Sequence, residues 1–549
     1  MLSLTRPLSL HRLPTALLTP HLPPLASCQR HRTAAMSCSS SAAAASAALP
    51  IDALFLMCLR NEEVRIPELE SCAKVTGARV QFGALPRESV YLRAKAASVD
   101  DVIRVARRSI MCKSAVEVIG TGETVEELAA SIESNAHLLT RDMTPETTFR
   151  MTVTTFEGRL SKAQQSEIMK SLYHLPFVGK VDLKNASVNY YIIEDMSTHR
   201  SDGFPKYYFG RFLTNSDRDS VYKYRLNARK YIGTTSMDPE LAMVMANLGL
   251  ARPNSLMLDP FVGTGGLIVA AAHYGSEVFG SELDGRVLRG TVGIRIGSNI
   301  WENFDQYELP QPQALIRNDW SQCMWRNVEW FDSIICDPPY GVREPARVIG
   351  VKANRVIDTA RVEESVSDGT YVPQRVLMGL DRLFLDLLDF AARLLVVDGR
   401  LVFWLPTTFE YTPDDLPAHP ALRLLCNFEQ PLSTRWGRRL LAYEKLRAPL
   451  PGEQASYKEG HIPSHVKFRD HVFRDDVAYE RLGAEALQDP DMSVREQQKW
   501  RTQRRAAKRE MRARSAAFRD EAASSGGAST STSDVPAEGG AQSRGGVEQ

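Results

Sequence analysis

Between Ser255 and about Glu444 the chain alternates short apolar runs with helix-forming stretches, and this alternation limits the possible folds more than any other feature. "SLMLDP", "EVFGSELD", "QALIRNDW", "FDSIICDPP", "GRLVFWLP" and "RRLLAYEK" supply at least six strands. A strand that returns through a helix runs parallel to its predecessor, so the pattern predicts a doubly wound, mostly parallel α/β sheet. Ligands of such sheets sit beyond the carboxyl ends of the strands. Acidic residues fall at those ends: Glu282 and Asp284 after the second run, Asp319 after the third and Asp337 after the fourth.

The fourth run ends abruptly. In "DSIICDPPYGVRE" the apolar strand meets Asp337, Pro338, Pro339 and Tyr340. Two prolines cannot donate to a ladder and fix φ near −65°, so the chain must leave the sheet there as a stiff elbow carrying a carboxylate and a ring. Upstream, "SLMLDPFVGTGGLIVAAAHYG" puts a strand end, a tight turn and a helix in sequence. Gly263, Gly265 and Gly266 let the backbone pass close beneath a ligand. The spacing is neither the dinucleotide G-x-G-x-x-G nor a P-loop, which disfavours phosphate cradling. Glu282 and Asp284 stand where cofactor domains grip ribose hydroxyls, and Asp319 is placed to bond an adenine amine.

At 549 residues the chain exceeds a single core. Its net charge of +1 confines any nucleic-acid surface to local basic patches. Eight scattered cysteines with no C-x-x-C pair argue against a disulfide framework or a structural zinc site and suit a reducing compartment. No apolar run reaches the roughly 20 residues needed to span a bilayer, so no membrane association is expected. Residues 1–50 carry four arginines and no acid before Asp52. That composition suits a mitochondrial or plastid transit peptide, a disordered leader, or an untranslated extension before Met36. From Ile51, "IDALFLMCL", "ESVYLRAKA", "SAVEVIGTG", "FRMTVTTF" and "ASVNYYIIED" read as strands. Helices over "RIPELESCAKVTG", "SVDDVIRVARRSIMC" and "TVEELAASIESNAHLL", and one after the Ser161–Gln164 capping box, lie between them. Residues 196–237 read as a linker, leading to a helix capped by Asp238 with Pro239 in its first turn. Eight basic residues and one acid between Lys499 and Arg514 predict a basic helix, either touching phosphate or simply solvated. Residues 522–549, rich in Ser, Gly and Ala, are expected to be disordered.

An Asp-Pro-Pro-Tyr elbow downstream of "DPFVGTGG" resembles the class I S-adenosylmethionine-dependent methyltransferases that modify exocyclic amines of bases. "RKYIGTTSMDPELAMVMANL", "DPPYGVREPAR" and "GRLVFWLPT" bring it nearest to the catalytic subunit of the tRNA (guanine-10-N2)-methyltransferase family. The resemblance covers about Ile51 to Lys445. It implies a ferredoxin-like part over 51–99 and a THUMP-like RNA-binding domain over 100–195. A Rossmann-like catalytic domain would follow over 238–450, with a C-terminal extension over 451–521. It further implies S-adenosyl-L-methionine held by Thr234, Ser236, Asp259, Phe261, Gly263, Gly265, Glu282, Asp284 and Asp319, and catalysis by Asp337, Pro338 and Tyr340. It also implies tRNA as substrate, a small zinc-binding activator subunit as partner, and cytoplasmic residence unless the leader directs import.

The chemistry agrees with that assignment. The lone pair of guanine's exocyclic amine is delocalised into the ring, so the site must orient it and stabilise positive charge developing on nitrogen. Asp337 accepts one N–H and the Pro338 carbonyl the other, while Tyr340 offers a stacking face. No metal or covalent intermediate is needed, and Cys336 is expected to pack in the core. The target base must be turned out of the folded RNA, and residues 341–374 form a candidate lid. The elbow does not encode the base, so methylation of another RNA or DNA amine stays open, as does an RNA-binding scaffold without turnover.

Overall fold

The computed structural model describes residues 49–468 apart from 85–88, 142, 198–203, 295–296, 323, 342–345, 351–366, 368–373, 409 and 434–435. The leader, the basic segment from Lys499 to Arg514 and the tail over 522–549 lie outside the described residues. Among the described residues, no helix is long and apolar enough to cross a membrane.

The first half contains β1 (Ile51–Met57), α1 (Arg65–Thr76), β2 (Val80–Phe82), β3 (Tyr91–Ala96), α2 (Val99–Arg108), β4 (Cys112–Gly122), α3 (Val125–Ser134) and α4 (Ala136–Thr140). It continues with β5 (Thr148–Phe156), α5 (Lys162–Ser171), β6 (Lys180–Val181), β7 (Val188–Asp195), β8 (Tyr207–Asn215) and α6 (Asp219–Lys223). Helix starts follow their caps. The Ser98 hydroxyl accepts from the Asp101 amide, and Ser161 and Gln164 form the anticipated reciprocal box. The stretch "TVEELAASIESNAHLL" is not one helix: it breaks at Asn135, whose side-chain amide donates to the carbonyls of Ile119 and Ser131.

A larger difference concerns the segment read as a linker. The eight strands form one sheet in the order β2-β3-β1-β4-β8-β7-β5-β6, with β8 antiparallel to both β4 and β7. Tyr207–Asn215, inside 196–237, therefore joins the 51–99 and 100–195 parts into one sheet. Gly210 makes this possible, because a Cβ there would stand 2.2 Å from the Glu117 carbonyl oxygen.

The second half contains α7 (Pro239–Leu248), β9 (Leu256–Asp259), α8 (Gly266–His273), β10 (Glu277–Glu282), α9 (Gly285–Leu288), α10 (Ile300–Tyr307), β11 (Ala314–Arg317) and β12 (Phe331–Cys336). There follow β13 (Arg347–Ile349), β14 (Arg375–Leu377), α11 (Leu380–Leu394), β15 (Leu395–Thr407), β16 (Leu422–Pro431) and β17 (Gly437–Lys445). Seven strands lie in the order β11-β10-β9-β12-β15-β17-β16; the first five are parallel, and β17 inserts antiparallel between β15 and β16. The strand β16 went unread in the sequence: "LRLLCNFEQP" mixes exposed and buried positions without clean alternation because it is a sheet edge. Connection order reverses between β9 and β12, and the crevice beyond their carboxyl ends is where a sheet of this kind binds ligand.

The helix α7 seals the two halves together. "PELAMVMANL" is apolar all round, and nine of its ten residues are buried. One continuous core runs from Ala53 and Leu69 through Val244 and Leu267 to Trp404 and Ala442. At its polar centre the fully buried Glu68 accepts from the Ser109 hydroxyl (2.5 Å), the Ile110 and Met111 amides (2.7 and 3.2 Å) and the Asn247 side-chain amide (2.7 Å). Burial raises the Glu68 pKa, and these four donors oppose the rise. Arg108 donates to the Asn247 side-chain oxygen at 2.7 Å and lies 3.6 Å over the Tyr274 ring. The pairs Lys74–Glu444 (2.6 Å) and Arg218–Glu240 (2.7 Å) flank the seam. Replacing Glu68 by Ala leaves several buried donors unsatisfied and should destabilise the whole described body by about 2–4 kcal/mol. Urea unfolding of the purified variant measures this. A single transition moved to lower urea is expected, because seam and core unfold together.

Candidate active site

The crevice is built from strand ends. The last residue of β9, Asp259, is 1% exposed, and its carboxylate accepts from the Phe261 amide at 2.9 Å. Burial pushes the Asp259 carboxyl well above the usual carboxylate range, and Asp337 and Glu282 add repulsion in the same direction. The chain then turns through Gly263 and Gly265, both at positive φ (49° and 82°), into α8. A Cβ on Gly263 would meet only the Phe261 oxygen, at 3.9 Å, so the turn presents an open backbone surface. A Cβ on Gly265 would instead stand 2.8 Å from Ile300. Phe261 packs edge-to-face on the buried Trp320, with centroids 5.3 Å apart.

Glu282 ends β10 and reaches back to the turn, where one carboxylate oxygen accepts from the Gly263 amide (3.2 Å) and the other from the Asp284 amide (3.0 Å). Ser236 joins from the preceding loop: its hydroxyl bonds the Thr264 hydroxyl at 2.8 Å and accepts from the Gly233 amide at 2.8 Å. Thr234 is exposed on the same loop. Asp259, Phe261, Gly263, Gly265, Glu282 and Ser236 are thus brought together around the glycine turn.

Two of the anticipated acids are engaged elsewhere. Asp284 caps α9, accepting from the Arg286 amide (3.0 Å) and guanidinium (2.6 Å), with Arg375 at 3.6 Å. The Arg286 hydrogen bonds hold its carboxyl far below the usual carboxylate range. Asp319 is 3% exposed and accepts from the amide and hydroxyl of Ser321 (3.0 and 2.7 Å) and from the Ile349 amide. Ile349 belongs to β13, which pairs antiparallel with β14. The strand β13 lies within the candidate lid and β14 directly follows it, while most of the lid lies outside the described residues. The Arg375 guanidinium, from β14, also donates to the Leu283 carbonyl at 3.4 Å. The base of the lid segment is therefore tied to the ends of β10 and β11.

The elbow sits directly after β12, beside Asp259. Pro338 and Cys336 are buried, and Asp337 and Tyr340 are half-buried. The Tyr340 hydroxyl donates to one Asp337 oxygen, while an Arg438 nitrogen approaches the other at 3.4 Å and the Tyr340 hydroxyl at 3.2 Å. Burial first, and the neighbouring Asp337 charge second, push the Tyr340 phenol well above its ordinary pKa, so it stays a donor. Tyr340 meets Trp436 edge-on at 6.3 Å. Arg438 stacks 4.0 Å over the Trp404 ring, its side chain 12% exposed. Sequence reading missed Arg438, Trp404 and Trp436. Nothing local marks them: in "TRWGRRLLAYEK" the first arginine of the strand looks like any solvated charge.

Residues 52–218 match the Tmrp11 THUMP N-terminal domain, and residues 227–348 match the RMKL-like methyltransferase domain. The first match runs past β8, in keeping with a single sheet. The tRNA (guanine(10)-N(2))-methyltransferase TRMT11 of Gallus gallus is 35% identical over 444 residues, covering 76% of this chain and 94% of the relative. The Homo sapiens protein of the same name is 33% identical over 441 residues with the same coverage. Among solved structures, TrmN from Thermus thermophilus is 18% identical and covers 72% of this chain and 100% of that one, at a TM-score of 0.36. A THUMP-type domain thus precedes a Rossmann-like methyltransferase domain, and the chain belongs to the tRNA (guanine(10)-N(2))-methyltransferase family.

Proposed function

We infer that this chain methylates the exocyclic N2 amine of a guanosine in tRNA, at position 10, with S-adenosyl-L-methionine as donor. The observation that carries the reading is the Asp337–Tyr340 elbow at the switch point, beside a glycine turn gripped by Glu282, in a chain of this family. The residues fit the cofactor: Gly263 leaves a ledge that any side chain would narrow, and Glu282 stands half-buried next to it. Glu282, Ser236 and the Gly263–Gly265 turn would hold it, with Asp259 bracing the turn and Phe261 and Thr234 at its rim. When bound, S-adenosyl-L-methionine supplies the electrophilic methyl group. Asp337 orients the amine by accepting one N–H, and the Pro338 carbonyl accepts the second. Together they favour positive charge on the nitrogen as it is methylated. The Tyr340 ring supports the flipped base. The first-half sheet is proposed to grip the tRNA, and family membership supports a small zinc-binding activator subunit, which co-purification would reveal. Cys58, Cys72, Cys112, Cys336 and Cys426, all buried free thiols, fit a reducing compartment, with which cytoplasmic residence agrees.

Methyl transfer to defined tRNA transcripts, with the product nucleotide mapped by mass spectrometry, tests the reading. Replacing Asp337 by Ala should lower kcat by about 10²–10³ with cofactor affinity held within a few-fold, since the carboxylate acts on developing charge. Near-normal turnover would remove Asp337 from the mechanism.

Glu282→Ala should weaken S-adenosyl-L-methionine binding by about ten- to a hundredfold, through lost charge-assisted hydrogen bonds and a loosened turn. Calorimetric titration reads it directly. Because Asp284 is committed to Arg286, Asp284→Ala should change affinity much less.

For Asp319 we propose a tether in place of an adenine contact. In Asp319→Ala the Ile349 amide loses its acceptor, and hydrogen exchange across 346–350 should quicken by about tenfold or more. Unchanged exchange there would return Asp319 to the cofactor.

A further inference from the structure

The contacts of Arg438 bear on a question the elbow leaves open, namely which base it accepts. Its Nε donates to the Gln430 side-chain oxygen at 2.8 Å, and its plane lies 4.0 Å from the Trp404 centroid, so the position of the fork is set from behind. In front, the bonds are long. Nη1 is 3.4 Å from Asp337 and 3.2 Å from the Tyr340 hydroxyl, where a tight guanidinium–carboxylate bond measures about 2.7–2.9 Å. Nη2 faces the Met237 sulfur at 3.7 Å, a weak acceptor. A rigid cation with loosely used donors thus stands against the elbow.

The same contacts pose an accounting problem. Both Asp337 oxygens have donors in the structure, one from Tyr340 and one from Arg438. An amine entering the elbow must take the place of one of them, and a displaced buried donor needs a new acceptor. Guanine brings that acceptor with it, because its O6 carbonyl lies on the same edge as N2. Guanidinium donating to O6 is also the commonest specific contact to guanine. Adenine presents an amine at that ring position, a donor facing a group that has donors only.

We propose that Arg438 selects guanine: as the N2 amine takes the Asp337 oxygen, the guanidinium exchanges that long contact for the O6 carbonyl. The inference rests on the methyltransferase reading above and adds the residue that discriminates the base. Before the base arrives, Arg438 compensates the Asp337 charge. Once it has arrived, Arg438 reports that the six-position bears oxygen. A base with the amine but without O6 denies the guanidinium that carbonyl and offers only the ring N1 beside the amine.

The test uses the full-length chain, with any subunit that co-purifies, and two synthetic tRNAs that differ at the methylated nucleotide. One carries guanosine and the other 2-aminopurine, which keeps the N2 amine, lacks O6 and carries an acceptor in place of the donor at N1. The unaltered protein should prefer guanosine by about tenfold or more in kcat/KM. In Arg438→Met the preference should collapse toward unity, mainly through loss of the guanosine rate. Arg438→Lys, with one donor in place of a fork, should retain an intermediate preference. Equal losses on both substrates, with the preference intact in Met and Lys variants, would show that Arg438 only braces the elbow and would overturn the proposal. If Arg438→Met fails to fold by thermal unfolding, the Lys variant decides alone: an undiminished preference sinks the idea. No transfer to guanosine by the unaltered protein would instead overturn the methyltransferase reading, and this inference with it.

Discussion

The structure depends on a helix that has no solvent face. The apolar residues of α7 run without interruption around its circumference, so neither half can leave it without exposing a large hydrophobic surface. The polar residue it must also bury, Asn247, is answered by Glu68 and Arg108 from the other half. A fully buried carboxylate is tolerated only with such partners. The seam therefore specifies one arrangement of the halves. A boundary near residue 205 would cut through it, leave α7 without its covering and remove nothing cleanly, because β8 completes the first sheet.

That fixed arrangement has a functional corollary. If the first sheet grips RNA and the second positions the amine, the separation between the two contacts is built into the core. A rigid frame selects a nucleotide by its place in a folded RNA, whereas the elbow and its surroundings select it by chemistry. A net charge of +1 means that attraction over the whole surface contributes little to either.

How much of this was legible in the sequence varies with the range of the interaction. The parallel strands and their terminal acids could be read because a buried strand, a turn and a helix are local patterns. The helix caps at Ser98, Ser161 and Asp238 were equally local. The strand β8 was not read, since "YYFGRFLTN" lies among Tyr, Arg and Lys; it pairs with the preceding β7, but its other partner, β4, is far back in the chain. The carboxylates were found, but not their occupants. Asp319 is taken by an amide 30 residues later, and Arg438 lies 101 residues beyond Asp337. Nothing in a linear pattern carries pairings at that distance. Asp284 is the instructive exception: its partner Arg286 is only two residues away, and an Asp that precedes a short helix is a cap before it is a ligand.

The elbow itself shows why a motif underdetermines its chemistry. Two prolines force the carboxylate out of the sheet, and this much the sequence dictates. A half-buried carboxylate needs hydrogen bonds, and Tyr340 and Arg438 supply them. Any substrate must match the bonds it displaces, so the partners of Asp337 also define what can replace them. A ligand that offers a donor to Asp337 but no acceptor to Arg438 trades one satisfied group for one orphan. At about 1–3 kcal/mol for a buried unsatisfied group, that exchange separates competing bases by factors of ten to a hundred. If Arg438 makes that exchange, base selection in this chain resides in β17, the strand that sets a guanidinium against the elbow.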